Sequence, residues 1–498
     1  MAQFDFSHPA RQSPKGIIII FALNTYKFVA RFFVLFLALG LSLSKNESFS
    51  FLNTTNIILM LLGIFIVILG FAILKYLNFK FYLDKDEFHL ATGVFNKDTT
   101  ILPKSKIQNV YIKQNFIQQI INVVSLTIET AGDDKAEIEI NALDRATALQ
   151  LKAQLFTNAQ LENSDVPAET PQQTIFFKAS VQRLLLEGIS QNHVRSFLII
   201  ISFVLGLFNE FEKYVEDYQI ADRVKSTINL QSGSFFNVLL ANLFLVMLAV
   251  LVSMLFSIIK TFIANYNLEV VENKDTIEIN KGLFNKLSLI LTPIRIQNLV
   301  IKTNRLKSFF GLHTLSIKQA MINKKQQKHF KIVALDKPQL AHLIEKIFSQ
   351  YPGVGEFHKP DAYYKRVLIL RAAVIGVLLN IPAFFIIGDY FWLINIGILA
   401  WIVLFVHFTY NKASFQITDE YLTVTSGFID RVRQINQLHK IQSVALKQSF
   451  FQKQRQIASL HIATASHTVK IPYITEKNAK SIYDYLLFKI ESQDRNWM

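Results

Sequence analysis

The stretch KIQNVYIKQN at residues 106–115 returns as RIQNLVIKTN at 295–304 and as KIQSVALKQS at 440–449. Gly93, Gly282 and Gly427 each stand 15 residues before Gln108, Gln297 and Gln442, and Leu126, Leu315 and Leu460 each stand 18 residues after them. A spacing held in three places over about 35 residues marks an internal repeat. The chain is therefore restricted to three copies of one supersecondary unit.

Each copy opens with a run in which apolar and polar residues alternate before a glycine turn: DEFHLATG, DTIEINKG and EYLTVTSG. That period predicts a strand. A second strand, the glutamine strand, an LxI strand (SLTI, TLSI, SLHI) and a helical pattern follow. The helices are expected over 141–156, 335–348 and 474–490, with Asp144, Asp336 and Thr475 as N-caps. Short antiparallel strands closed by one amphipathic helix predict a small, partly open barrel plugged by that helix.

The stretches between the copies are too apolar for loops. Hydrophobic residues make up 51% of the 498 and charged residues 18%, which predicts both soluble and membrane segments. Apolar runs at 57–77, 238–263, 367–387 and 392–408, with shorter ones at 32–43 and 197–208 that follow charge-interrupted lead-in segments, predict six spans in three pairs. The expected organisation is a spanning pair in 1–76, a barrel in 77–160, a linker with an interfacial helix and a second pair in 161–263, a barrel in 264–350, a linker with a third pair in 351–410 and a barrel in 411–492. Connectors within the pairs are net acidic. Arg11, Lys15, Lys27, Arg31, Arg195, Lys365, Arg366 and Arg371 flank the other ends, so the positive-inside rule places the termini and barrels in the cytoplasm. The fold class expected is thus an α+β membrane protein with six transmembrane helices. The first residues do not read as a signal peptide.

The basic-Ile-Gln motif, with Lys113, Lys302 and Lys447 five residues beyond the glutamine and the LxI strand after it, resembles the bacterial pleckstrin-homology domain of the YdbS/YdbT family of membrane proteins, in its three-module form. The resemblance covers nearly the whole chain. It implies an integral protein of the bacterial inner membrane with cytoplasmic PH-like domains, no established reaction, and assembly with a smaller single-module relative or with itself. With the lipid-facing charge, it further implies a part in envelope homeostasis or stress resistance. The family pattern has glycine four residues before the LxI leucine. Gly311 matches, while Asn122 and Gln456 depart, and Gln456 predicts a different turn in the third module.

Strict alternation puts Gln108 with Val110 and Ile112, Gln297 with Leu299 and Ile301, and Gln442 with Val444 and Leu446, on the apolar face. A buried amide there ties backbone groups together; ligand contact is the alternative. Lys113, Lys302 and Lys447 point to the other face, either as solvated lysines or as partners of a phosphate or acidic headgroup. The first copy carries 9 basic and 10 acidic residues, against 14 and 6 in the second and 11 and 6 in the third. The second also holds NKKQQKHFK, with Lys324, Lys325, Lys328 and Lys331, a hairpin-like patch suited to an anionic leaflet or simply to solvent.

The absence of cysteine excludes disulfides, thiolate metal sites and cysteine nucleophiles. No phosphate loop, dinucleotide fingerprint, HExxH or nucleophile elbow is present. The expectation is a protein without enzymatic activity, cofactor, metal or nucleic-acid partner, whose modules bind one another, a companion protein or anionic lipid. A transport role is the rival, resting on Lys27, Arg31, Asn380, Pro382 and His407 in or near apolar runs.

Overall fold

The computed structural model describes residues 4–43, 54–130, 137–156, 174–193, 196–200, 202, 235–273, 276–319, 329–349, 351, 353, 355–387 and 391–492. In the first repeat, helices α1 (Gly16–Leu43) and α2 (Thr54–Asn78) pack together. Strands β1 (Lys80–Asp84), β2 (Glu87–Thr92) and β3 (Asp98–Pro103) follow, then β4 (Ile107–Gln114), the one-turn helix α3 (Phe116–Ile120), β5 (Val124–Thr130), β6 (Glu137–Leu143) and helix α4 (Arg145–Phe156). The two triplets β1-β2-β3 and β4-β5-β6 enclose one core. It includes Phe81, Phe88, Val110, Leu126, Ile128 and Ile140, and α4 closes it with Ala148, Leu151 and Leu155.

The second repeat comprises β7 (Thr174–Lys178), α5 (Val181–Ile189), α6 (Phe235–Asn265), β8 (Glu269–Glu272), β9 (Ile277–Lys281), β10 (Lys286–Leu291), β11 (Ile296–Thr303), α7 (Arg305–Phe309), β12 (His313–Gln319), β13 (Lys331–Leu335) and α8 (Lys337–Ile347). The third comprises α9 (Tyr363–Ile387), α10 (Phe391–Lys412), β14 (Ser414–Ile417), β15 (Tyr421–Ser426), β16 (Arg431–Gln437), β17 (Ile441–Lys447), α11 (Phe450–Gln454), β18 (Ile457–Thr464), β19 (Thr468–Thr475) and α12 (Glu476–Glu491). Its core joins Leu422, Val424, Leu460, Ile462 and Ile471 to Ala479 and Leu486 of α12. Asp336 caps α8 in a capping box with Gln339, whereas Thr475 makes no side-chain cap bond.

The chain divides into two compact units, Met1–Thr174 with Val271–Lys274 and Glu278–Ile290, and Ile175–Val270 with Asp275–Ile277 and Leu291–Met498. The division falls inside the second repeat. Most of β9 and of β10 goes with the first unit, and β11 to β13 go with the second.

Two helices, not six, meet the requirements of a membrane span among the described residues: Ile58–Asn78 within α2 and Met247–Asn265 within α6. Only 6% and 11% of their spanning stretches are buried in the protein, as a lipid-facing helix requires. The expectation of six spans is therefore corrected. Lys27 and Arg31 divide the apolar run of α1, Lys365, Arg366 and Arg371 load the first turns of α9, and α10 carries Asn395, His407, Asn411 and Lys412. Of the run at 197–208, only residues 197–200 and 202 are described. The lead-in helix α5 packs on α6, with Gly188 so close that a Cβ there would lie 2.8 Å from the Ile258 Cα.

Two backbone features correct the reading of the repeat. In all three glutamine strands the register shifts at the glutamine, between Ile107 and Asn109, Ile296 and Asn298, and Ile441 and Ser443. A bulge inserts one residue and resets the alternation. Ile107, Val110 and Ile112 consequently share the first core, and Gln442 is exposed rather than inside the third. Gln297 is buried, while the Gln108 side chain lies outside the described residues. The second correction concerns Gln456, which takes the same left-handed turn as its counterparts, at φ 51° against 56° for Asn122 and 67° for Gly311. The third module turns like the others and accepts the strain of a side chain there. Gln456→Gly is expected to stabilise that module by about 1 kcal/mol, read as a higher denaturation midpoint by near-ultraviolet circular dichroism.

Candidate functional site

The third strand of one module pairs with the glutamine strand of the module before it. In the first unit β10 runs antiparallel to β4, with Leu287 opposite Lys113 and Ser288 opposite Ile112. In the second unit β16 runs antiparallel to β11, with Val432 opposite Lys302 and Arg433 opposite Ile301. Lys113 and Lys302 are repeat-equivalent, as are Leu287 and Val432, so both junctions have one register. The first unit thus contains the strand order β6-β5-β4-β10-β9, and the second β13-β12-β11-β16-β15-β14.

Side chains fasten each junction. In the first, the Gln119 Nε2 of α3 donates to the carbonyls of Leu283 and Phe284 at 3.0 and 2.8 Å, and Phe116 meets Phe284 edge-on with ring centres 5.7 Å apart. In the second, Asn298 donates to Asn436 Oδ1 at 2.6 Å within a fully buried pair, and Asn304 donates to Asp430 Oδ1 at 3.2 Å. Lys440, the basic residue of the third motif, donates to the carbonyls of Ile294 and Ile296. Burial pushes its amine down to about 8.

The three motif lysines therefore occupy equivalent places, the outgoing edge of each module. Lys113 is half-buried and stands over the Tyr111 ring at 4.7 Å, while Lys302 and Lys447 are exposed. Of the basic patch, Lys324, Lys325 and Lys328 lie outside the described residues. Lys331 is on β13, where burial lowers its amine to about 8, so it supplies little exposed charge. Gly93, Gly282 and Gly427 all sit at positive φ, 112°, 108° and 122°, in the turn before the third strand. Of the polar groups behind the transport alternative, the Asn380 amide donates to Gly376 O in its own helix and His407 pairs with Asn411 one turn on. Lys27 and Arg31 are exposed.

A cavity of about 710 Å³ lies in the second unit, lined by Ile301 and Thr303 of β11, Ser308 of α7, His313 of β12, Lys337, Leu340, Ala341, Ile344 and Glu345 of α8, Arg431 and Arg433 of β16, and Ser349, Tyr351 and Gly353. It exists because β16 supplies its two arginines to a wall built by the previous module. Desolvation, then the neighbouring Arg433 charge, lowers the Arg431 pKa, and burial likewise lowers that of His313. Three fixed cations thus face one carboxylate. Among the described residues neither arginine has a carboxylate partner, and the buried Thr303 hydroxyl has no hydrogen bond. Strict reading of the motif could not find this site, because its charge comes from a strand outside the repeated decapeptide.

The sequence profile of the bacterial PH domain matches residues 28–159, 210–351 and 374–489. The chain belongs to the bacterial PH domain family. It is also 23% identical over 423 residues to the UPF0699 transmembrane protein YdbT of Bacillus subtilis (strain 168), covering 81% of this chain and 83% of that protein. No solved structure matches. With two helices able to cross a bilayer and a relative named a transmembrane protein, the chain is a membrane protein carrying repeated PH modules.

Proposed function

We propose that this is a non-enzymatic protein of the bacterial inner membrane whose PH-like modules, held in the cytoplasm, bind anionic headgroups in the arginine-lined cavity of the second unit. The observation that carries the reading is the cavity itself: apolar walls from Ile301, Leu340 and Ile344, with Arg431, Arg433 and Lys337 outweighing Glu345. Guanidinium forks suit phosphate oxygens, and the Thr303 hydroxyl adds a donor. The full-length protein in mild detergent is expected to retain phosphatidylglycerol over phosphatidylcholine in native mass spectrometry. Arg431→Glu with Arg433→Glu is expected to lower that retention roughly tenfold or more, since each charge near an anionic headgroup contributes about 1 kcal/mol. Retention unaltered by the double substitution would sink the reading.

A second reading, protein–protein assembly, rests on a different observation, the shared register of the two junctions. A module that joins its neighbour through a fixed edge carries the means of joining other modules.

A further inference from the structure

The junction occurs twice along the chain, and among the described residues each half of it also occurs once without its partner. β3 is the outer strand of the sheet β1-β2-β3, and β17 is the outer strand of β17-β18-β19; among the described residues, neither is paired on its far side. β3 is the counterpart of β10 and β16, and β17 the counterpart of β4 and β11. Burial follows pairing. Ile435 of β16 is fully buried against β11, whereas its counterpart Ile101 on β3 is 54% exposed. β11 is buried from Ile296 through Ile301, whereas Gln442, Ser443, Ala445 and Lys447 of β17 are exposed.

The aromatic pair that fastens the first junction is also present at the two open ends. Phe450 is the counterpart of Phe116 and Phe95 that of Phe284. The inner pair meets edge-on, while Phe450 is 71% exposed and Phe95, which touches the Phe71 ring of α2, is 88% exposed. Lys453 stands where Gln119 stands and can donate to the same turn carbonyls. Carrying the common register over to the free edges sets Lys447 opposite Asp98, an opposite-charge cross-strand pair. Long exposed edges are templates for another chain.

We propose that β17 of one copy pairs antiparallel with β3 of a second copy, with Lys447 opposite Asp98 and Phe450 against Phe95, repeating between molecules the junction that joins modules within one. This rests on the assembly reading and names its surface. The contact is heterologous, so each copy gives one edge and receives on the other, and copies add head to tail.

The chain has no cysteine, which makes crosslinking a clean test. Full-length Asp98→Cys and Lys447→Cys proteins are prepared separately, reconstituted alone and mixed, and oxidised. A disulfide needs Cα atoms about 4.4–6.8 Å apart, a spacing that directly opposed strand residues provide. Lys302→Cys with Val432→Cys in one chain, across the inner junction, sets the yield for this register. The expected result is a covalent dimer in the mixture at a yield approaching that control, little in either protein alone, and a loss of at least severalfold when Phe450→Ser is added to the Lys447→Cys chain. A mixture that crosslinks no better than the separate proteins overturns the proposal. The mass of the uncrosslinked protein in detergent separates two failures. Oligomers without the crosslink refute this surface and leave assembly standing, and a lone monomer refutes both.

Discussion

Replacing Gly427 by alanine is expected to destabilise the third module by about 3 kcal/mol and to loosen the β15–β16 turn, measured as faster amide exchange in residues 421–437 of the full-length protein. The residue holds φ at 122°, and a Cβ there would sit 2.0 Å from the Asp430 carbonyl oxygen. Neither partner can retreat. The oxygen is backbone, and the Lys412 amine secures the same turn through the carbonyls of Phe428 and Ile429. Asp430 also accepts from Asn304, so the disturbance reaches the second junction and the arginines beside it. Gly311 gives the graded comparison: its φ is 67° but nothing lies within 4 Å of a Cβ, so Gly311→Ala should cost only about 1–2 kcal/mol. Equal effects of the two substitutions would show that left-handed strain alone, and not the carbonyl, makes Gly427 necessary.

The same turn glycine shows what was legible in the sequence. A residue type kept at a fixed distance from a motif because no side chain fits is visible without coordinates, and Gly93, Gly282 and Gly427 located three turns correctly. The alternating strands and the closing helices were equally readable, because burial imposes periods of two and 3.6 on the residues themselves. The bulge at Gln108, Gln297 and Gln442 was not. One inserted residue leaves composition and spacing untouched while changing which side chains share a face, so that Ile107 joins Val110 and Ile112 in the core and Gln442 is left exposed. The left-handed Gln456 escaped for the opposite reason: the surrounding turn, and not the residue, dictates its conformation.

The candidate site was less legible than the fold. Lys113, Lys302 and Lys447 were read as solvated lysines or as partners of an acidic headgroup, and their shared place on the outgoing edge of a module is something a single module does not disclose. Arg431 and Arg433 gave no motif signal because their role depends on which strand of which module β16 joins. The helices were misjudged on a third ground. Apolar content predicted six spans, whereas charge within α1 and α9 limits what a hydrophobic run can cross.

Lys307→Met is expected to destabilise the second unit by about 3–5 kcal/mol, the largest loss foreseen for any single side chain here. The Lys307 amine lies 2.5 Å from Glu187 Oε1, with the lysine side chain 6% exposed and the glutamate 0% exposed. The Thr314 hydroxyl joins both, at 2.7 Å to the amine and 3.0 Å to the carboxylate. Glu187 is on α5, which packs on the spanning helix α6, whereas Lys307 and Thr314 lie on α7 and β12 of the PH-like module. The pair therefore links the helices of this unit to its sheet. Removing the amine alone leaves a fully buried carboxylate with no counter-charge, held only by the Thr314 hydroxyl and the Gln191 amide. Glu187→Leu together with Lys307→Met removes both desolvation penalties and is expected to recover most of the loss, leaving the cost of the orphaned Thr314 hydroxyl. The measurement is a double-mutant cycle on denaturation of the full-length protein in detergent. A double variant as unstable as the worse single one would mean that the pair contributes its geometry, and not merely its paired charge, to holding helix and sheet together.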